Sequence, residues 1–248
     1  MLTNSEVWYG MTKADVDQLE AVDKTLMRRI FSVPDSTPIT GLYLESGCLR
    51  ISTLIKARRI NFLHYLIKLP KSDMLSKFFH AQWHHSSKQD WTLQVKMDLK
   101  DFGLTSDLEA LESKSTTSIK SLVKRKAIEY ELRNLTKAKE KQSKMENLDY
   151  GKFMLQKYLE DLDPHLAKNV FRFRVRMAEF SEHFKGQGPS KPCPLCGLHW
   201  DSQEMSFQCE KVKKQVKINE DYKKLFKNNI SLELAKILQE ITNLRIKE

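Results

Sequence analysis

Apolar residues recur at positions 16, 19, 22, 26, 30 and 33, the three-and-four spacing of one helical face. Thr12-Lys-Ala-Asp15 stands before this run as a reciprocal cap, and Pro34 stops it, which predicts a helix between them. Pro38 opens a short helix through Leu42 and Glu45 that Gly47 closes, with Cys48 in the connection as an ordinary packed cysteine. A second long helix is predicted from Arg50 to Leu69, with Ile55, Phe62, Leu63, Leu66 and Ile67 along its dense apolar flank and Pro70 as its stop. Ser72 caps a helix to about His84. Asp90 caps another through Phe102, which Gly103 terminates.

From Thr117 to about Glu146 no strong breaker occurs, and Ile119, Leu122, Val123, Ile128, Leu132 and Leu135 form the stripe of a further helix. The stripe fades after Thr136, so the tail KAKEKQSKMEN reads as a solvated extension. Asp163-Pro164 is a cap followed by proline at the first helical position, opening HLAKNVFRFRVRMAEF as a helix whose Arg172, Arg174 and Arg176 fan over the surface. The clearest break is GQGPSKP, residues 186–192, and Ser231 caps a C-terminal helix beyond it. The pattern predicts a mostly α fold: a bundle-like region over 1–103, a basic helical connection over 104–185, then a small cysteine knuckle and C-terminal helix over 186–248.

Composition sharpens this picture. Only 8 glycines occur among 248 residues, well under the ordinary share of about 7%, which starves the chain of the tight turns a many-stranded sandwich needs. No run reaches the roughly 20 apolar residues of a membrane span, and no apolar signal core follows the N-terminus, so a soluble intracellular protein, nuclear or cytoplasmic, with no membrane partner is expected. Lys plus Arg is 42 against 32 for Asp plus Glu, a formal net charge of +10. A polyanion is the first partner that such a field attracts. The stretch 117–146 carries nine Lys and Arg against four Glu, open to reading as a solvated face or as a phosphate-tracking one.

Three of the four cysteines lie within seventeen residues, which fits metal ligation by reduced thiols better than a secreted disulfide framework. Cys193-Pro-Leu-Cys196 has the spacing of a zinc knuckle, and Cys209 follows. A structural zinc site wants four ligands; His199, His183 or a water are the candidates for the fourth. His84, His85 and Asp90 form a second polar group, but adjacent residues of a helix point to different faces, and no nucleophile or metal spacing accompanies them.

The run NSEVWYGMTKADVDQLEAVDKTLMRRIF with LYLESGCLRISTLIKARRINFLHYL resembles the segment downstream of the catalytic palm in reverse transcriptases of non-long-terminal-repeat retrotransposons, where similar residues belong to the thumb and its connection. CPLCGLHWDSQEMSFQC is similar to the cysteine/histidine knuckle that follows in many such elements. The resemblance implies Cys193, Cys196 and Cys209 as knuckle ligands, with Met205 standing where the family carries histidine, so that zinc is held weakly or lost. It further implies a C-terminal fragment whose polymerase domains are missing. No Tyr- or Phe-x-Asp-Asp sequence occurs, so RNA-directed DNA polymerase activity is not expected of this chain alone. On that reading Trp8 and Tyr9 once packed on a preceding domain and stand more exposed than other aromatic residues.

The leading expectation is a module that grips RNA or DNA by its backbone, through Arg28, Arg29, Arg58, Arg59, Lys124, Arg125, Lys126, Arg172, Arg174 and Arg176. The alternative is a domesticated helical protein-interaction module whose basic face is only solvated.

Overall fold

Asp15 Oδ2 accepts from the Thr12 N–H at 2.8 Å, and Thr12 Oγ1 accepts from the Asp15 N–H at 3.2 Å, forming the reciprocal cap expected there. The computed structural model describes residues 2–85, 90–145, 148, 150–183, 191–218, 221–227 and 229–246. Its helices are α1 (Lys13–Phe31), α2 (Ile39–Ser46), α3 (Ile51–Lys68), α4 (Met74–His84), α5 (Trp91–Asp101), α6 (Leu108–Glu112), α7 (Thr116–Lys139), α8 (Lys157–Asp161), α9 (Pro164–Arg174), α10 (Gln203–Ser206), α11 (Glu210–Gln215) and α12 (Leu232–Ile246). Among the described residues the β structure is one isolated antiparallel bridge, Pro192 to Trp200. The fold is mostly α. No helix among the described residues is long and apolar enough to cross a membrane.

Local signals set most helix ends. Asp90 Oδ1 accepts from Leu93 N at 2.8 Å, Ser231 Oγ from Leu234 N at 3.1 Å and Asp163 Oδ1 from His165 N at 2.9 Å. Gly47 ends α2 at φ 64°, and a Cβ there would lie 2.4 Å from Leu155 N, so both the left-handed turn and the close approach demand glycine. Three boundaries differ from expectation. Asp73, one residue after Ser72, caps α4 through Leu75 N at 2.8 Å. The α9 helix stops at Arg174, because the chain reverses through Arg176 at φ 52° and the Met177 and Ala178 N–H groups both turn back to Arg172 O, at 2.7 and 3.1 Å. After α7 ends, Lys144 of the expected solvated tail instead donates to His183 O at 2.6 Å, and burial holds its ammonium below the usual range. Glu146 and Asn147 of that tail, the loop at 86–89 and the break at 186–190 lie outside the described residues.

The chain divides into two compact units, one of Met1–Lys24 with Leu49–Asn134 and one of Thr25–Cys48 with Leu135–Glu248. This regroups the stretches expected at 1–103, 104–185 and 186–248: the divisions fall inside α1 and α7, and the 185/186 boundary lies outside the described residues. The regrouping follows side-chain pairing between segments remote in sequence, which helix periodicity does not encode.

In the first unit α3 is central. Leu63, Leu66 and Ile67 pack with Phe79 and Trp83 of α4, Val95 and Leu99 of α5, and Ile119 and Val123 of α7. Two cations of this helix and one just before it bond inward. Arg59 forks onto Asp98 at 2.6 and 3.2 Å and donates to Trp8 O at 3.2 Å. Lys56 bonds Asp101, and Arg50 just before α3 shares the buried carboxylate of Glu131 with Thr53. The Trp8 bond corrects the expectation for that residue: Trp8 is half-buried, whereas Tyr9 is 60% exposed, and Phe78 and Trp200 are more exposed still.

In the second unit α9 lies against α12, with Val170, Phe171 and Phe173 buried alongside Leu234, Leu238 and Ile241. Phe31 stacks on Phe171 at 4.1 Å between ring centroids. That contact and the burial of Met27 set the orientation of α1: Val22, Leu26 and Ile30 of its predicted inner face are exposed. Cys48 is also exposed rather than packed. At the centre of this unit Glu45 and Arg174, both 0% exposed, pair at 2.9 Å. Glu45 also accepts from Tyr150 and, at 2.9 Å, from Tyr158, while Arg174 Nη1 donates to Leu225 O and Lys227 O at 2.6 and 2.7 Å.

Arg174→Met strands the Glu45 carboxylate in the core and is expected to cost about 3–5 kcal/mol in urea unfolding, with Glu45→Gln added to it recovering part of the loss. Burial pushes the Tyr158 and Tyr150 phenols well above their ordinary value of 10.0. A proton held more tightly folded than unfolded gives stability that is complete below pH about 10 and is lost as pH rises beyond it. Alkaline titration followed by circular dichroism is therefore expected to unfold this unit above pH about 10. Tyr158→Phe removes about 1.4 kcal/mol per pH unit from that slope while starting from a lower stability.

Candidate metal centre and cationic surface

Cys193-Pro-Leu-Cys196-Gly197 turns back on itself with Gly197 at φ 68°, the Gly197 N–H donating to Cys193 O at 2.9 Å. Across the turn the Cys193 N–H donates to His199 O at 2.6 Å, beside the Pro192–Trp200 bridge. Cys209 enters from the far side, at the start of α11. The three sulfurs lie within 4.8 Å of one another, with Cys193 and Cys209 buried and Cys196 at the edge. The backbone N–H of Leu198, aided by that of His199, holds the Cys196 thiol below its usual range. Burial pushes the Cys209 thiol up, against the N–H groups of Val212 and Lys211. Clustered sulfurs supported by backbone donors are what a thiophilic cation requires, and these three cysteines could hold a metal ion.

The imidazoles expected as a fourth ligand are not in this group. His199 contributes its carbonyl to the turn, and the residue lines a cavity of about 440 Å³ together with Trp200, Leu198 and Met205. His183 is buried elsewhere, with Nδ1 2.8 Å from Ala178 O and Nε2 3.2 Å from Glu182 Oε1. Among the described residues His84, His85 and Asp90 do not assemble: both histidines are exposed, and the aspartate caps α5.

Braces that the sequence did not signal hold the knuckle. Asp201 Oδ2 accepts from Ser181 N at 2.8 Å, the Asp201 N–H donates to Lys191 O at 2.8 Å, and Arg245 of α12 pairs with Asp201 at 2.7 Å. Arg245 also lies 4.1 Å from the centre of the Phe180 ring. Asp201 follows an exposed tryptophan, and Arg245 lies in an ordinary amphipathic helix, so neither pattern marks the pair.

The ten cations expected at phosphates differ in how far the fold leaves them available. Arg59 and Arg174 are buried with Asp98 and Glu45, because a desolvated guanidinium needs a carboxylate beside it, and neither is available to a ligand. Arg28 is largely covered and faces Asp35 at 3.7 Å, and half-buried Arg172 donates to Ser32 O at 3.1 Å. Arg176 is half-buried at the α9 reversal. Lys126 pairs with Glu129 at 2.7 Å, and Arg125 lies 3.8 Å from the same carboxylate. Arg29, Arg58, Lys124 and Arg125 are exposed.

No protein-family model, curated protein or solved structure matches the chain.

Proposed function

We propose that this chain binds the backbone of RNA or DNA, and that Cys193, Cys196 and Cys209 form a knuckle in its C-terminal part that holds zinc weakly or has lost it. The observation that carries this reading is where the charge is spent. Arg59 with Asp98 and Arg174 with Glu45 are buried pairs of zero net charge, so among the described residues these pairs take up none of the positive excess that the sequence carries. An excess of this size attracts a polyanion and gives binding that is largely blind to sequence. The resemblance to the thumb and knuckle of retrotransposon reverse transcriptases points the same way, and the absence of a Tyr- or Phe-x-Asp-Asp sequence makes binding rather than polymerisation the role.

A second reading, a helical protein-interaction module, is favoured by the exposed Leu26 and Ile30 on α1. Filter binding between about 50 and 200 mM salt separates the two. The nucleic-acid reading expects affinity to fall by orders of magnitude over this range, and Lys124→Glu with Arg125→Glu to weaken binding and lower the salt slope by about one unit per cation. A flat salt dependence would sink it.

At the knuckle, methionine sulfur is a poor zinc ligand, so Met205 leaves the site one strong donor short. Elemental analysis after mild chelation is expected to find less than one zinc per chain. Met205→His is expected to raise the content toward one; full retention by the parent chain would show that Met205 does not weaken the site.

A further inference from the structure

In the first unit a cavity of about 340 Å³ opens between the segment before α1, α3, α4 and the start of α5. Five aromatic rings line it: Tyr9, Phe62, Phe78, Phe79 and Trp91. Phe62 and Trp91 meet edge to face at 5.7 Å and 83°, and Trp91 is locked by its indole N–H donating to Glu6 O at 2.8 Å. Phe78 and Tyr9 are 67% and 60% exposed, leaving large ring area in water beside a rigid aromatic floor.

We propose that this cavity takes one unpaired nucleobase of a single-stranded nucleic acid, stacked against Phe78 and Tyr9, with Arg58 holding an adjoining phosphate. The proposal rests on the nucleic-acid reading above and deepens it by naming a strand form and a subsite. Stacking on aromatic faces beside basic side chains is the physical basis of sequence-tolerant single-strand binding. Arg58 is exposed and one helical turn before Phe62 on the same row of α3. Its Nη1 is anchored on Leu2 O and, at 3.4 Å, on Ser5 Oγ, which fixes one side of the head, while a guanidinium carries further N–H donors for a phosphate. Gln82 in the wall adds an amide that both donates and accepts. The carboxylate in the wall, Asp90, is occupied by Leu93 N and Thr92 Oγ1 at 2.8 and 2.7 Å, which reduces its repulsion of a phosphate.

Size and shape argue against a docked helix. A volume of about 340 Å³ is near the lower end of the roughly 300–1,000 Å³ of small-ligand pockets. A docked amphipathic helix needs a trough for several anchors along its length rather than a single compact recess.

The test uses the full chain with a short labelled oligouridine and an RNA duplex of equal length, read by fluorescence anisotropy. Phe78→Ala and Tyr9→Ala are each expected to weaken single-strand binding roughly ten-fold or more, the loss of one stacked base, while leaving duplex binding unchanged. Met74→Ala, on the same helix, 73% exposed and outside the cavity, is expected to change neither. Because the three side chains are mostly in water, unchanged thermal midpoints are expected to accompany these results. Single-strand binding that survives both cavity variants, beside intact salt-dependent binding of the duplex, overturns the subsite and leaves the broader reading standing. Failure of the parent chain to bind either probe overturns both. Capture of a designed leucine/lysine amphipathic helix by the parent but not by Phe78→Ala, with oligouridine binding unaffected, also overturns the subsite and assigns the cavity to a protein partner.

Discussion

A carboxylate without access to water dictates the arrangement of the second unit. Glu45 sits on α2 with 0% exposure, and an isolated ion in that position would cost far more than the unit's whole margin of stability. It is tolerated because Arg174, Tyr150 and Tyr158 converge on its two oxygens. Those donors come from α9, from the segment before α8 and from α8 itself, so satisfying one charge orders three pieces of chain. Arg174 then reaches the carbonyls of Leu225 and Lys227, extending the same constraint to the approach to α12. The first unit repeats the device on α3, where Arg59, forked onto Asp98, also bonds the carbonyl of Trp8. Pairs of this kind contribute less to net stability than an apolar core; their value is that wrong packings leave a charge stranded.

The same pairs shape the surface. A lysine- and arginine-rich chain that neutralised its core with unequal numbers of charges would present a different field outside. Among the described residues the two buried guanidinium groups, Arg59 and Arg174, each meet a carboxylate, so neither leaves a net charge in the interior. The knuckle is fastened by a related economy: Asp201 takes the backbone of Ser181 and the guanidinium of Arg245, so the turn that gathers three sulfurs is braced by α12 rather than by its own short length. Backbone donors at Cys196 favour the thiolate, while burial at Cys209 resists it, and a bound cation would resolve that opposition by stabilising both as thiolates.

Exposed rings and exposed aliphatic residues present different forms on this chain. Leu26 and Ile30 of α1 are aliphatic side chains in water one helical turn apart. Tyr9 and Phe78 offer flat faces around a recess with a fixed aromatic floor, a form suited to another planar ring.

Helices and their ends were written locally. Thr12-Lys-Ala-Asp15, Asp90, Asp163-Pro164, Gly47 and Ser231 each act within a few residues, so their hydrogen bonds and turns could be read before any packing was known. The closeness of Cys193 and Cys196 was legible for the same reason, because a two-residue spacing constrains the turn by itself. The sequence thus determined a mostly α chain with an excess of positive charge and a cluster of thiols. Tertiary structure decided which arginines point outward, since Arg172, Arg174 and Arg176 alternate identically in the sequence while only Arg174 meets the buried Glu45. It also left Leu26 and Ile30 of the predicted α1 face in solvent while Phe31 stacks on Phe171, and gathered Tyr9, Phe62, Phe78 and Trp91 around one recess. These outcomes depend on pairs separated by tens to more than a hundred residues, and helix periodicity carries no information over such distances.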